Sequence, residues 1–199
     1  MTRSAVARRS QAERSEITST LVLDATIACL VELGYARTST LVVHERAGVS
    51  RGALLHHFPS RAELMAAAVD HLARQILVSF DATALRHGDP VERGVRLLWS
   101  SFTSDLGIAA QELWTAARTD AELRIALLRH DADLNRQIRT TLGRAFGPDL
   151  ASHPNFDTTM RVLIQAMRGA AAARVLHPDA SARPDIDRWV SVANQLLAT

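Results

Sequence analysis

One stretch, Ser39-Thr-Leu-Val-Val-His-Glu-Arg-Ala-Gly-Val-Ser-Arg-Gly-Ala-Leu-Leu-His-His-Phe58, limits what this chain can fold into more than any other. It reads as two short helices joined by a tight turn. Ser39 offers a hydroxyl to one of the N–H groups left open where a helix begins. Val43 and Ala47 fall four apart, on one inward face. Gly48 supplies the backbone freedom for the turn, and Val49 fills the gap between the helices. Ser50 caps the second helix, and Leu54 and Phe58 return to the core with helical spacing. Ser50, Arg51, Gly52, Ala53, Leu55, His56 and His57 are left at the start of that helix or on its outer face. A helix-turn-helix that reads DNA sets this part of its second helix against base edges and phosphates.

Ala47-Gly48-Val49-Ser50-Arg51-Gly52, followed by His57-Phe58-Pro59-Ser60-Arg61-Ala62-Glu63-Leu64, resembles the DNA-binding domain of the TetR (tetracycline-repressor-like) regulators. Gly34-Tyr35 and Thr38-Ser39 match at the entrance to the motif. The resemblance is close from about Leu21 to Leu64; beyond that it is one of layout. It implies contacts to DNA from Thr38 and Ser39 before the turn, from the second helix, and from Arg61, where the family carries a phosphate-holding basic residue. Three places depart from the pattern. Leu55 stands where the family usually has a Tyr whose hydroxyl touches a phosphate. His44 stands where a small Ala is usual, and Leu41 and Val42 where polar residues are common.

Charge follows the same division. Residues 1–61 carry eight Arg against five acidic residues, net +3, while the remainder is net −1. A basic front on a near-neutral rear fits a DNA-binding head on a body that does not bind DNA. All 23 basic residues are Arg, the better fork for phosphate and guanine, although coding bias explains such a composition equally well. Cys29 is alone, which excludes an internal disulfide or a cysteine-built zinc site. No stretch reads as a membrane span and the N-terminus has no apolar signal core, so a cytoplasmic protein is expected.

Helical periodicity between Gly and Pro breaks runs through the rest, with no period-2 pattern, and predicts an all-α fold of about nine helices. The polar segment 1–14 reads as a flexible basic arm, frayed or following the DNA backbone. Helices are expected over about 17–33, 61–80, 91–106, 108–118, 121–146, 157–176 and 184–197, besides the two of the motif. Ser60-Arg61-Ala62-Glu63 is a capping box opening the fourth. The domains follow as arm 1–14, helix-turn-helix domain 15–61 and helical body 62–199.

In the body, Trp99, Phe102, Leu106, Trp114, Leu127, Leu163 and Met167 sit on different helices, with Gln111, Arg118 and His130 as polar anchors. Together they fit an apolar ligand cavity; any one of them serves an ordinary core as readily. Ala166, Gly169, Ala170 and Ala173 put small side chains on one face, which lets a second helix approach closely. Trp189, Val190, Ala193 and Leu197 stripe the last helix. The resemblance implies that these two final helices build a homodimer interface. His130 and Asp133 are too few to fix a metal, and no cofactor is expected. Nucleophile–base pairs and paired carboxylates are lacking, so an enzyme is not expected. The resulting expectation is a repressor released from palindromic double-stranded DNA by a small apolar or aromatic ligand. A regulator answering to a protein partner, or to nothing, stands as the alternative.

Overall fold

The computed structural model describes residues 3–79, 88–174, 176 and 183–198. Among them the chain forms ten helices and no strand: α1 (Arg3–Arg37), α2 (Thr40–Ala47), α3 (Arg51–His57), α4 (Arg61–Ser79), α5 (Pro90–Thr103), α6 (Asp105–Ala117), α7 (Ala121–Phe146), α8 (Pro148–Ala151), α9 (Phe156–Ala173) and α10 (Arg183–Leu197). The one beyond expectation is α8, a single turn too short to show a period. The helix also starts at Arg3, where a flexible arm is expected; that segment is rich in Ala and Arg and holds neither Gly nor Pro, so nothing in it stops a helix.

The chain divides into two compact units, in a different way from the sequence-based domains. The first runs to Arg74 and also takes in Ile108–Asp131; the second holds Gln75–Gly107 and everything from Ala132 onward.

In the first unit, α1 buries Val22, Leu23, Ala25, Ile27 and Cys29 against Val43 of α2, Leu54 of α3, Phe58, and Leu64 and Ala68 of α4. Leu21 on the same helix is exposed. Residues 11–37 are long and apolar enough to cross a membrane by length and composition, contrary to expectation. Their apolar face here is the face that packs on α2 and α3. Gly34 breaks α1 with φ 73° and ψ 171°, a conformation that side chains with a Cβ avoid. The chain then makes one more turn to Arg37 before the motif.

In the second unit, α5, α7, α9 and α10 enclose Val95, Leu98, Trp99, Phe146, Phe156, Met160, Leu163 and Met167. Trp99 meets Trp189 with ring centroids 4.7 Å apart, and Phe146 meets Phe156 edge-on at 5.6 Å. Gly94 lies beneath Phe146 so closely that a Cβ there would sit 2.2 Å from the ring. Asp89 caps α5 by accepting the Glu92 N–H at 2.7 Å, with Pro90 in the first turn where a missing N–H is harmless. Asn155 donates its side-chain amide to the Leu196 carbonyl at 3.1 Å, tying the start of α9 to the end of α10.

Candidate nucleic-acid interface

The turn between α2 and α3 is fixed by short-range bonds that the sequence announces. Ser39 Oγ accepts the Val42 N–H at 3.3 Å. Gly48 is left-handed, φ 67° and ψ 26°, and closes α2 by donating to the Glu45 carbonyl at 3.2 Å, while Val49 N–H donates to the His44 carbonyl at 3.1 Å. Ser50 Oγ accepts the Ala53 N–H at 3.1 Å. His44 adds a contact that sequence reasoning missed: its Nδ1 lies 3.3 Å from the Val49 carbonyl and donates to it in the tautomer protonated there. The side chain that departs from the family's usual Ala thus bridges the turn.

Leu54 and Phe58 point into the core, and the opposite face of α3 is open. Arg51, Gly52, Leu55 and His56 are exposed; Ala53 and His57 are half-buried. Positions 51, 52, 55 and 56 share one side of a helix, so the expected reading face is assembled as a surface. Ser39 and Ser50 stand at its edges with their hydroxyls used as caps.

Two expected contacts turn inward. Thr38 is fully buried, and its hydroxyl donates to the Gly34 carbonyl at 2.8 Å. That carbonyl is left over where Gly34 breaks the helix, so the Thr38 hydroxyl closes the α1–α2 junction. Arg61 is half-buried: Nε donates to the Thr38 carbonyl at 2.8 Å, Nη2 to the Tyr35 carbonyl, and the guanidinium lies 3.8 Å over the Tyr35 ring. These contacts make Arg61 a brace from α4 onto the same junction, where a phosphate clamp is expected.

Tyr35 anchors this junction from the other side. Its N–H donates to Glu112 Oε2 of α6 at 2.9 Å, and its hydroxyl to Asp120 Oδ2 at 2.6 Å. Asp120 also caps α7, Oδ1 accepting the Leu123 N–H at 3.0 Å. Burial, then the bond to Asp120, pushes the Tyr35 hydroxyl up to about 12. The Leu123 N–H, then the Tyr35 hydroxyl, holds Asp120 below the usual carboxylate range. Glu63 pairs with Arg129 of α7, and Glu32 of α1 takes both forks of Arg46 of α2 at 2.6 Å. The end of α1 and the start of α4 are therefore both held by the α6–α7 turn region within the first unit.

The ten ligand-site candidates do not gather in one unit. Trp99, Leu163 and Met167 are buried in the core of the second, with Phe102 half-buried against them. Gln111 and Leu127 are half-buried and Trp114 and Arg118 exposed in the first. The side chains of Leu106 and His130 lie outside the described residues. Among the described residues no group of three or more metal-ligating side chains occurs. Of the interface candidates, Ala166, Gly169 and Ala173 are exposed and Ala170 half-buried. Ala193, fully buried, and Leu197 belong instead to the core of their own chain, with Trp189 and Val190 packed half-buried against it. The stripe read on α10 is real; it faces inward, because Ile186, Ala193 and Leu197 cover Trp99 and its neighbours.

Comparison with known proteins agrees with this geometry. The family described as "Bacterial regulatory proteins, tetR family" matches residues 22–68, which hold the later part of α1, all of α2 and α3, and the start of α4. An uncharacterized HTH-type transcriptional regulator of Mycobacterium tuberculosis is 29% identical over 175 residues, 85% of this chain and 89% of that protein. A putative TetR-family transcriptional regulator from Rhodococcus sp. superposes with a TM-score of 0.69 at 19% identity, over 92% of this chain and 99% of that one. The multidrug binding protein EbrR, in complex with ethidium, superposes with a TM-score of 0.64 at 20% identity, over 90% of this chain and 98% of its own. The capped helix-turn-helix of residues 22–68 thus matches the tetR family of bacterial regulatory proteins, and the chain shares its all-helical fold with solved TetR regulators.

Proposed function

We propose that this protein is a transcriptional repressor that grips a palindromic DNA operator as a two-fold dimer and releases it on binding a small apolar or aromatic ligand. The observation that carries the reading is Gly52. It lies in α3 with ordinary helical backbone, and a Cβ built on it meets nothing within 4 Å. Glycine is a poor helix residue, and the interior of this protein gains nothing from it there. A bare helix surface between Arg51 and Leu55 suits close approach to an outside partner. Arg51 beside it reaches a guanine edge with two bonds or a phosphate with one. His56 and His57 flank the face, and the caps hold it rigid.

Dimerisation through α9 is supported by a second bare strip. Val162, Ala166, Gly169 and Ala173 are exposed at helical spacing, and Gly169 also has open space where a Cβ would stand. The ligand class rests on the aromatic side chains of the second unit, Trp99 and Phe102 foremost, and on EbrR, a fold relative solved in complex with ethidium. Release requires that the ligand favour a state in which the heads no longer fit the operator. The brace of Arg61, Tyr35, Glu112 and Asp120 supplies a path, since a shift of the α6–α7 turn moves the junction that aims α2 and α3.

The test is selection of bound duplexes from a random pool, followed by titration of single-base variants. Arg51→Ala is expected to lose about 1–3 kcal/mol and, where it contacts guanine, to relax preference at one position per half-site. If Arg51→Ala binds every variant as tightly as the parent, α3 is not the reading element.

A further inference from the structure

We infer that Leu55 reads the C5-methyl group of a thymine in the major groove, so that each operator half-site is specified partly by a methyl contact. The inference rests on the DNA-binding reading of α3. Leu55 is 37% exposed on the same side of α3 as Arg51 and Gly52, four and three residues before it. A helical side chain leans back over the turn before it, which brings the Leu55 methyls toward the flank of Gly52. They do not fill the space over Gly52: the position a Cβ would take there has no side chain within 4 Å. What remains is open space over bare helix, on the same face as a branched apolar side chain.

The chemistry of Leu55 selects its partner. Leu55 neither donates nor accepts a hydrogen bond, so it gains nothing from a phosphate. Among the features displayed in the major groove, the thymine methyl is the one read by apolar contact. A lone exposed Leu is ordinary on a protein surface. Here it sits inside the basic reading face, where an apolar side chain against water or phosphate would serve no purpose.

The experiment uses the full-length protein and duplexes selected from a random pool, with each thymine of the half-site replaced in turn by deoxyuridine. That substitution removes the methyl and leaves every hydrogen-bonding group in place. At one position the parent protein is expected to lose affinity by about fourfold per half-site, the worth of one buried methyl-sized group. Leu55→Ala is expected to bind the unmodified operator more weakly, to be indifferent to uracil at that position, and to keep the parent's salt slope. Because Leu55 lies at the surface, thermal melting of the variant should match the parent. The inference is overturned if no thymine responds in the parent, or if Leu55→Ala stays as sensitive as the parent, which would assign the methyl to Ala53. A flattened salt slope in Leu55→Ala would also overturn it, by marking a role at phosphate. Failure to enrich any duplex would overturn the DNA-binding reading itself and this inference with it.

Discussion

The apolar clusters of the two units are built on different terms. The head cluster is aliphatic apart from Phe58, and its helices α2 and α3 are only eight and seven residues long. Helices so short do not persist unaided, and each is pinned by its own caps, Ser39 and Gly48 for one, Ser50 for the other. The cluster of the second unit takes in Trp99, Phe146, Phe156 and Trp189, contributed by α5, α7, α9 and α10. Those partners lie far apart in the chain, and local bonds do not choose them. A head that must present a fixed surface is specified residue by residue; the second unit is specified by which large side chains find each other.

The largest expected effect tests the second half of that contrast. Phe146 is almost fully buried, stacks edge-on with Phe156 and lies directly against Gly94. Phe146→Ala should lower stability by about 3–5 kcal/mol through lost burial and the cavity left behind. The reverse error, Gly94→Ala, drives a methyl into the same ring and should cost about 1–3 kcal/mol. Denaturant titration reads both. If Phe146→Ala loses less than about 1 kcal/mol, the aromatic cluster does not hold this unit together.

The same contrast explains what the sequence disclosed. Ser39, Gly48 and Ser50 act through neighbours within five residues, so cap chemistry is enough to place them, while helical spacing alone marks Val43, Leu54 and Phe58 as inward without naming their partners on α1. The internal contacts of Thr38 and Arg61 are not legible in the sequence, because they depend on the break at Gly34 and on the Tyr35 ring, which no local pattern displays. The bond from Tyr35 to Asp120 spans 85 positions and left no signal in either segment. On α10, periodicity correctly found the apolar stripe but carried no information about which body it faces. Ala193 and Leu197 were therefore given to a partner when they cover Trp99 and its neighbours. The single turn α8 was too short to be seen.

A smaller effect sharpens the junction between local and long-range order. This chain has one Tyr and no Lys, and its remaining cations are Arg. Between pH 10 and about 12, Tyr35 is thus the one side chain whose ordinary range falls in the window. Its folded value is raised above the unfolded one, so in that window the folded chain keeps a proton that the unfolded chain has lost. The stabilisation is whole below pH 10 and is lost as pH rises through about 12. Tyr35→Phe should cost about 0.5–1.5 kcal/mol at neutral pH through the missing bond to Asp120. It should also remove most of the alkaline slope. An unchanged slope between pH 10 and 12 in Tyr35→Phe would mean that the hydroxyl is not held by Asp120 in solution.

The smallest expected effect is also the one that separates packing from recognition most cleanly, because it changes a single methyl. Gly94 and Gly52 are both helical glycines, yet a Cβ at Gly94 would strike Phe146 at 2.2 Å, whereas a Cβ at Gly52 meets nothing within 4 Å. The first glycine is demanded by the fold and the second is not. Gly52→Ala should therefore raise stability by about 0.4–1 kcal/mol, since it reduces the freedom of the unfolded chain without strain in the folded one. The same methyl adds bulk to the bare face beside Leu55 and would hold the helix off the groove floor, so operator affinity should fall while the melting temperature rises. The two readouts moving in opposite directions would mark Gly52 as shaped for an outside partner. A variant that is more stable and binds DNA as tightly as the parent would show that close approach at Gly52 is not used, and the reading face would then have to be sought around Arg51 and His56 alone.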